Sequence, residues 1–300
     1  MQTVTDNLKQ AGGRLVDGVV TLLGENSPLR DINKPSSDVV IIGAHYAFGE
    51  LSIKQKRLQS KLIGDHRHFV ALIRALLRTQ AREVRQRIDQ SDKTIREVIE
   101  QTHCVWHQTT DQAAGAVRRG VDEMLDAVSC LYDPTEGSVA LVPDTNTLIY
   151  SPAFQTWEFD GIPEFDIVLV PTLLSELDSL KTDHRNPDVR QKSQRVIRRV
   201  KEYRRRGRLT EGVPVVAGRI RLRTVAVEPQ LHESLPWLDP TSPDDRMLAS
   251  FLEVMRIHPR SSVALVTGDI NLQNKAEFAR VPWLEPPAAG KRQVEPEDDV

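Results

Sequence analysis

Val139-Ala140-Leu141-Val142-Pro143-Asp144-Thr145-Asn146 is a short apolar run that stops on a carboxylate. The same grammar recurs further on. Phe165-Asp166-Ile167-Val168-Leu169-Val170 leads through Pro171-Thr172-Leu173-Leu174-Ser175 to Glu176, and Val263-Ala264-Leu265-Val266-Thr267-Gly268 ends on Asp269. Short runs rich in β-branched residues and bounded by turn formers read as buried strands. Helical patterns at 172–181, 188–206 and 244–257 fill the intervals. Strand–helix alternation of this kind gives a mainly parallel sheet with covering helices. Val213–Val227 breaks the rhythm and reads as a hairpin around Gly218 with basic residues on its exposed face, and Trp283-Leu284 as a last edge strand.

Open α/β sheets bind ligands beyond the carboxyl ends of their strands. Asp144, Glu176 and Asp269 therefore converge on one edge, and Asp245, at the start of the 244–257 helix, is expected to join them. Carboxylates gathered at one place repel one another unless a hard cation neutralises them, and Mg²⁺ and Mn²⁺ favour all-oxygen ligands. This chemistry suits a metal-dependent nuclease, because phosphodiester hydrolysis needs an activated water and stabilised oxyanions. The bland alternative is a set of helix caps and surface charges, the usual fate of Asp and Glu.

Upstream of the turn-rich Asp133-Pro134-Thr135-Glu136-Gly137-Ser138 the pattern changes. Leu58, Leu62, Phe69, Ile73 and Leu76 form one helical stripe, and Val84, Ile88, Ile95, Val98 and Ile99 a second. Val117, Val121, Met124, Leu125 and Val128 form a third. Spacings of three, four and seven predict a helical hairpin or small bundle between about 47 and 132. Pairing between copies through it, or binding of a protein regulator, is expected. Residues 1–45 carry no decisive period, and Val39-Val40-Ile41-Ile42 suits either a strand or a buried helical turn. The expected fold class is thus α/β: an all-α domain over 1–136, then a three-layer α/β/α domain with a mainly parallel sheet over 137–300.

The 300 residues provide core material for about two domains, with 39% hydrophobic and 27% charged residues, a mean hydropathy of −0.37 and a net charge of −2. No apolar stretch approaches the roughly 20 residues of a membrane-spanning helix, and Asp17, Gly18 and Gly24 break up the only candidate leader. Cys104 and Cys130 give no disulfide framework. A cytoplasmic protein without membrane contact is the expectation.

Four motifs in order resemble those of the PIN-domain nucleases, in the larger, eukaryote-like subgroup of that family. Val142-Pro143-Asp144-Thr145-Asn146-Thr147-Leu148 is similar to the opening motif and Pro171-Thr172-Leu173-Leu174-Ser175-Glu176-Leu177-Asp178 to the second. Asp244-Asp245-Arg246-Met247-Leu248-Ala249 resembles the third, and Val266-Thr267-Gly268-Asp269-Ile270-Asn271 the last. The resemblance covers about 138–287. It implies a compact PIN-like α/β/α domain, one or two divalent cations (Mg²⁺ or Mn²⁺), and endonucleolytic hydrolysis of RNA. Residue by residue it implies Asp144, Glu176, Asp245 and Asp269 as catalytic metal ligands, with Asn146, Thr267 and Asp244 in support. Two alternatives keep the fold and change the activity: a non-catalytic RNA-binding scaffold, and a structure-specific DNA nuclease.

Lys181–Arg208 holds 12 Lys and Arg against three acidic residues. Arg195, Arg198, Arg199, Arg204 and Arg205 crowd one predicted helix, docked by Val189, Val196, Ile197 and Val200. Such an excess is an electrostatic footprint for a phosphate backbone, expected to be extended by Arg219, Arg221 and Arg223. His103 and His107, with Cys104, lack the further ligands a zinc site needs. His66 and His68 are expected at the surface, and Trp237 and Trp283 as packing covers.

Overall fold

The computed structural model describes residues 1–24, 29–31, 46–101, 107–134 and 138–287. The expectations placed on Val39–Ile42 and on His103-Cys104 lie outside these. The chain divides into two compact units, Thr5–Leu131 and Tyr132 onward, the latter joined by Met1–Val4.

The first unit is helical. It comprises α1 (Val4–Gly24), a two-residue ladder of β1 (Arg30–Asp31) and β2 (Tyr46–Ala47), α2 (Ile53–Leu77), α3 (Arg82–Glu100) and α4 (Thr110–Tyr132). Ser52 and Gln55 start α2 with a reciprocal capping box, which satisfies donors that a helix end otherwise leaves open. Most of each expected stripe is buried: Leu62, Phe69, Ile73 and Leu76 on α2, Ile88, Ile95, Val98 and Ile99 on α3, Val117, Val121, Met124 and Val128 on α4, with Leu58, Val84 and Leu125 half-buried. The first helix is the addition. Its Leu8, Leu15, Val19 and Leu22 are buried, and two of its glycines, which hide the period in the sequence, are places of close approach. A Cβ on Gly12 would lie 2.7 Å from Val121 Cγ1, and one on Gly18 2.5 Å from Leu62 Cδ2.

The second unit carries a six-stranded sheet of order β5-β6-β4-β3-β7-β8. The strands are β3 (Val139–Pro143), β4 (Phe165–Leu169), β5 (Val213–Val216), β6 (Ile220–Thr224), β7 (Ser262–Val266) and β8 (Trp283–Leu284). All neighbours are parallel except the β5–β6 hairpin, whose turn uses Gly218 at φ +69, a conformation that suits glycine. The helices are α5 (Thr145–Tyr150), α6 (Pro171–Asp183), α7 (Pro187–Arg206), α8 (Pro243–Ile257) and α9 (Ile270–Phe278). From β3 the chain moves to β4 and β6 on one side, then crosses to β7 and β8 on the other. Right-handed crossovers in opposite directions cover both faces with helices, giving three layers. The reversal makes the β3/β7 boundary the switch point where such sheets open a crevice. Among the described residues no helix is long and apolar enough to cross a membrane.

His66 departs from its expected place at the surface. It is buried on α2, with Nε2 3.3 Å from Asp92 Oδ1 but outside hydrogen-bonding geometry. Asp92 in turn accepts from Arg74 at 2.8 Å. Burial outweighs the attraction of Asp92 and lowers His66 to about 4, so the ring is neutral at pH 7. The unfolded chain then binds the extra proton between its ordinary value of 6.5 and about 4. Stability is full above the upper value and falls as pH drops through that window. Urea unfolding should show a loss of about 2 kcal/mol between pH 7 and pH 5 in excess of that in His66→Leu. Parallel pH profiles for the two proteins would contradict a neutral buried ring.

Candidate active site

Strand register builds the site. Pairing of β3 with β7 runs from Val139 opposite Ser262 to Pro143 opposite Val266, so the next residues, Asp144 and Thr267, emerge side by side. The Asp144 amide donates to Val266 O at 3.0 Å. Both side chains are buried, and Thr267 Oγ1 donates to Asp144 Oδ2 at 2.5 Å. The other carboxylate oxygen, Oδ1, accepts from the Thr147 amide at 2.6 Å, which caps α5. Thr267 Oγ1 also accepts from the Asp269 amide at 3.0 Å. One buried hydroxyl therefore fixes Asp144 and Asp269 relative to each other. Asp269 caps α9 through a single oxygen, Oδ1, which accepts from Asn271 N at 2.7 Å and Leu272 N at 3.3 Å.

Glu176 reaches the same edge from α6, which follows β4. Thr145 Oγ1 donates to its Oε2 at 2.6 Å, next in sequence to Asp144. The helix α8 precedes β7 and runs against it, so its N-terminus lies at the same edge. Asp245 there is 5% exposed, and its Oδ2 accepts from Asp239 N at 2.9 Å. Asp244, half-buried, accepts from Asn271 Nδ2 at 2.6 Å. Lys275 of α9 lies 2.8 Å from Asp245 Oδ1 and 3.3 Å from Asp244 Oδ2. The first contact lacks hydrogen-bond directionality and acts as an ion pair. Burial pulls the Lys275 ammonium down, but the two carboxylates outweigh it and hold the group above its ordinary range.

Residues 141–285 match the family model of the PIN domain. The C-terminal half of this chain is a PIN domain. Its fold is of the nuclease type, generally hydrolytic and usually metal-dependent. No curated protein matches the chain.

Within the PIN domain, Asp144, Thr267 and Asp269 are joined through one hydroxyl, Glu176 is tied to the residue after Asp144, and Asp244 and Asp245 meet at Lys275. The Asn146 side chain is exposed and makes no hydrogen bond among the described residues, whereas Thr145 bonds Glu176 and Thr147 bonds Asp144 and Val266 O. The sequence marks Thr145 and Thr147 only as members of the opening motif, and Lys275 only as a cation one turn beyond Asn271. Gly268 has a steric reason, since a Cβ there would lie 3.3 Å from Pro286 Cγ.

Among the described residues no three Asp, Glu, His or Cys side chains are grouped so as to hold an ion as they stand. Hydroxyls, amides and Lys275 engage part of the acidic edge: Asp144 through both oxygens, Glu176 and Asp269 through one each. The donor chemistry still fits a hard ion, because the set is all oxygen. Oε1 of Glu176 and Oδ2 of Asp269 carry no hydrogen bond among the described residues, and they belong to half-buried side chains able to turn.

Removing Lys275 should expose this balance. Lys275→Met strands the buried Asp245 charge, which should cost about 3 kcal/mol in EDTA. Mg²⁺ or Mn²⁺ should return more melting temperature to the variant than it adds to the wild type. An unchanged melting temperature in EDTA would show that Asp245 does not depend on the lysine.

Proposed function

We propose that this chain is a divalent-metal-dependent endoribonuclease that hydrolyses RNA phosphodiester bonds at Asp144, Glu176, Asp245 and Asp269. The observation supporting it is the buried Asp144 held beside Thr267 and Asp269 at the switch point of a PIN domain. Asp144, Glu176 and Asp269 would hold the ion, with Asp245 at the rim. A bound Mg²⁺ or Mn²⁺ supplies Lewis acidity and an activated water.

The chain's own groups do the rest. Thr267 and the Thr147 amide fix the Asp144 carboxylate, so it need not reorganise during the reaction. Thr145 orients Glu176 toward the same place. Lys275 brings positive charge to the rim, which offsets repulsion between the carboxylates and an incoming phosphodiester. RNA as substrate is supported by the carboxyl end of the basic α7, where Arg204 and Arg205 are exposed; Arg195 and Arg198, exposed nearer its start, add only long-range attraction. Two corrections apply to the wider footprint. Arg199 donates to Pro152 O and is half-buried. The hairpin arginines are already engaged: Arg221 and Arg223 with Asp166 at 2.7 and 2.5 Å, Arg219 with Glu158 at 3.2 Å. A cytoplasmic setting accords with the two cysteines of the sequence.

Purified protein with Mn²⁺ should cleave single-stranded RNA, and Asp144→Asn should lower the rate at least about 100-fold, beyond the usual effect of losing an outer partner of a ligand. RNA bound without cleavage by the wild type would assign the fold to a scaffold. Cleavage confined to DNA flaps would move the substrate class.

A further inference from the structure

A groove of about 960 Å³ runs between α6 and the C-terminal end of α7, closed below by the segment after β6. Leu177, Val200, Leu209 and Val225 are buried along its floor. Its rim carries Lys181, Lys201, Arg204, Arg205, Arg206 and Arg208 against the single acid Asp178. Asp178 is spent on Lys181, Arg208 pairs with Glu211 at 3.0 Å, and Arg206 lies over Tyr203. Lys201, Arg204 and Arg205 have no ionic partner among the described residues, so the groove keeps an uncompensated positive rim above an apolar floor.

The helix α6 links groove and acidic site. Its Thr172 and Glu176 face Ser250 and Thr145, while Pro171, Leu174, Ser175 and Asp178 line the groove. The two lie on opposite flanks of one helix, about 10 Å apart. Both open at the carboxyl edge of the sheet, since the groove takes in Thr224, which ends β6, and Val225 and Ala226, which directly follow it. The basic helix is also divided in two. Arg204 and Arg205 line the groove, whereas Arg195 and Arg198, equally exposed, do not.

We infer that this groove binds the backbone of single-stranded nucleic acid and leads the strand across the N-terminal turn of α6 to the carboxylates. The inference rests on the nuclease reading for the destination of the strand, but not for its binding. A single strand offers phosphates to the rim and unstacked bases to the apolar floor together. A duplex presents phosphates with its bases shielded, and an acidic peptide brings nothing flat for the floor.

The test compares two double variants of the full chain that remove the same charge, Arg204→Ala/Arg205→Ala and Arg195→Ala/Arg198→Ala. Binding of a fluorescent oligouridylate is titrated in EDTA over a range of salt. The groove pair should lose at least about 10-fold in affinity, with its log–log salt slope reduced by about 1.4 for two lost phosphate contacts. The outer pair should lose less than about 3-fold. Equal losses, no loss from the groove pair, or preference for an acidic peptide over the oligonucleotide would each overturn the assignment. A second measurement is independent of any substitution: photo-crosslinking 4-thiouridine RNA to the wild type should label 171–178 or 224–226, and labels confined elsewhere count against the groove. Groove binding with no Mn²⁺-dependent cleavage would sink the nuclease reading and leave the groove intact, while Asp144-dependent cleavage with equal losses would do the reverse.

Discussion

A single hydroxyl organises the acidic edge. Thr267 Oγ1, fully buried, donates a hydrogen bond to Asp144 and accepts one from the Asp269 amide, so the ends of β3 and β7 share one polar joint. It exists because the two strands run parallel and in step, Pro143 opposite Val266. A slip of one residue would turn Thr267 or Asp144 to the other face of the sheet. The hydrophobic pattern that fixes the register of Leu141, Val142, Ala264 and Leu265 thereby also fixes the chemistry just beyond it. Core packing and site geometry are in this sense a single constraint.

The same logic explains what could be read in advance. The runs at Val139, Ile167 and Val263 mark strands because fully buried parallel strands need continuous apolar residues, and the intervening helices start at prolines 171, 187 and 243, where a missing N–H costs nothing. Those signals are local, and they carried the sheet, the hairpin and the matched PIN domain. The first helix was not legible, because Gly12 and Gly18 read as interruptions until Val121 and Leu62 are seen against them. His66 looked like a surface residue between charges, yet it lies on the inner side of α2.

Side-chain pairing was the least legible. Arg221 and Arg223 belong to an exposed basic hairpin in the sequence, but the parallel register of β4 and β6 brings Asp166 between them. Arg199 finds the Pro152 carbonyl in the same way. The seat of α7 is likewise non-local. Tyr203 stacks on Phe154 with centroids 6.4 Å apart, and Phe154 meets Trp157 edge-on at 5.7 Å. Phe154 and Trp157 follow no period and occupy the connection between α5 and β4, where sequence pattern says little. Together they hold the helix so that part of its charge faces a groove and part faces away.

Lys275 has an implication for any ion drawn to Asp244 and Asp245. The lysine is tethered to the chain, so its local concentration never falls, whatever the surrounding medium contains. A free cation arriving there must displace a rival that cannot diffuse off. Entry of a divalent ion exchanges one positive charge for two, so that corner gains charge, and the lysine's competition weakens the ion's apparent grip.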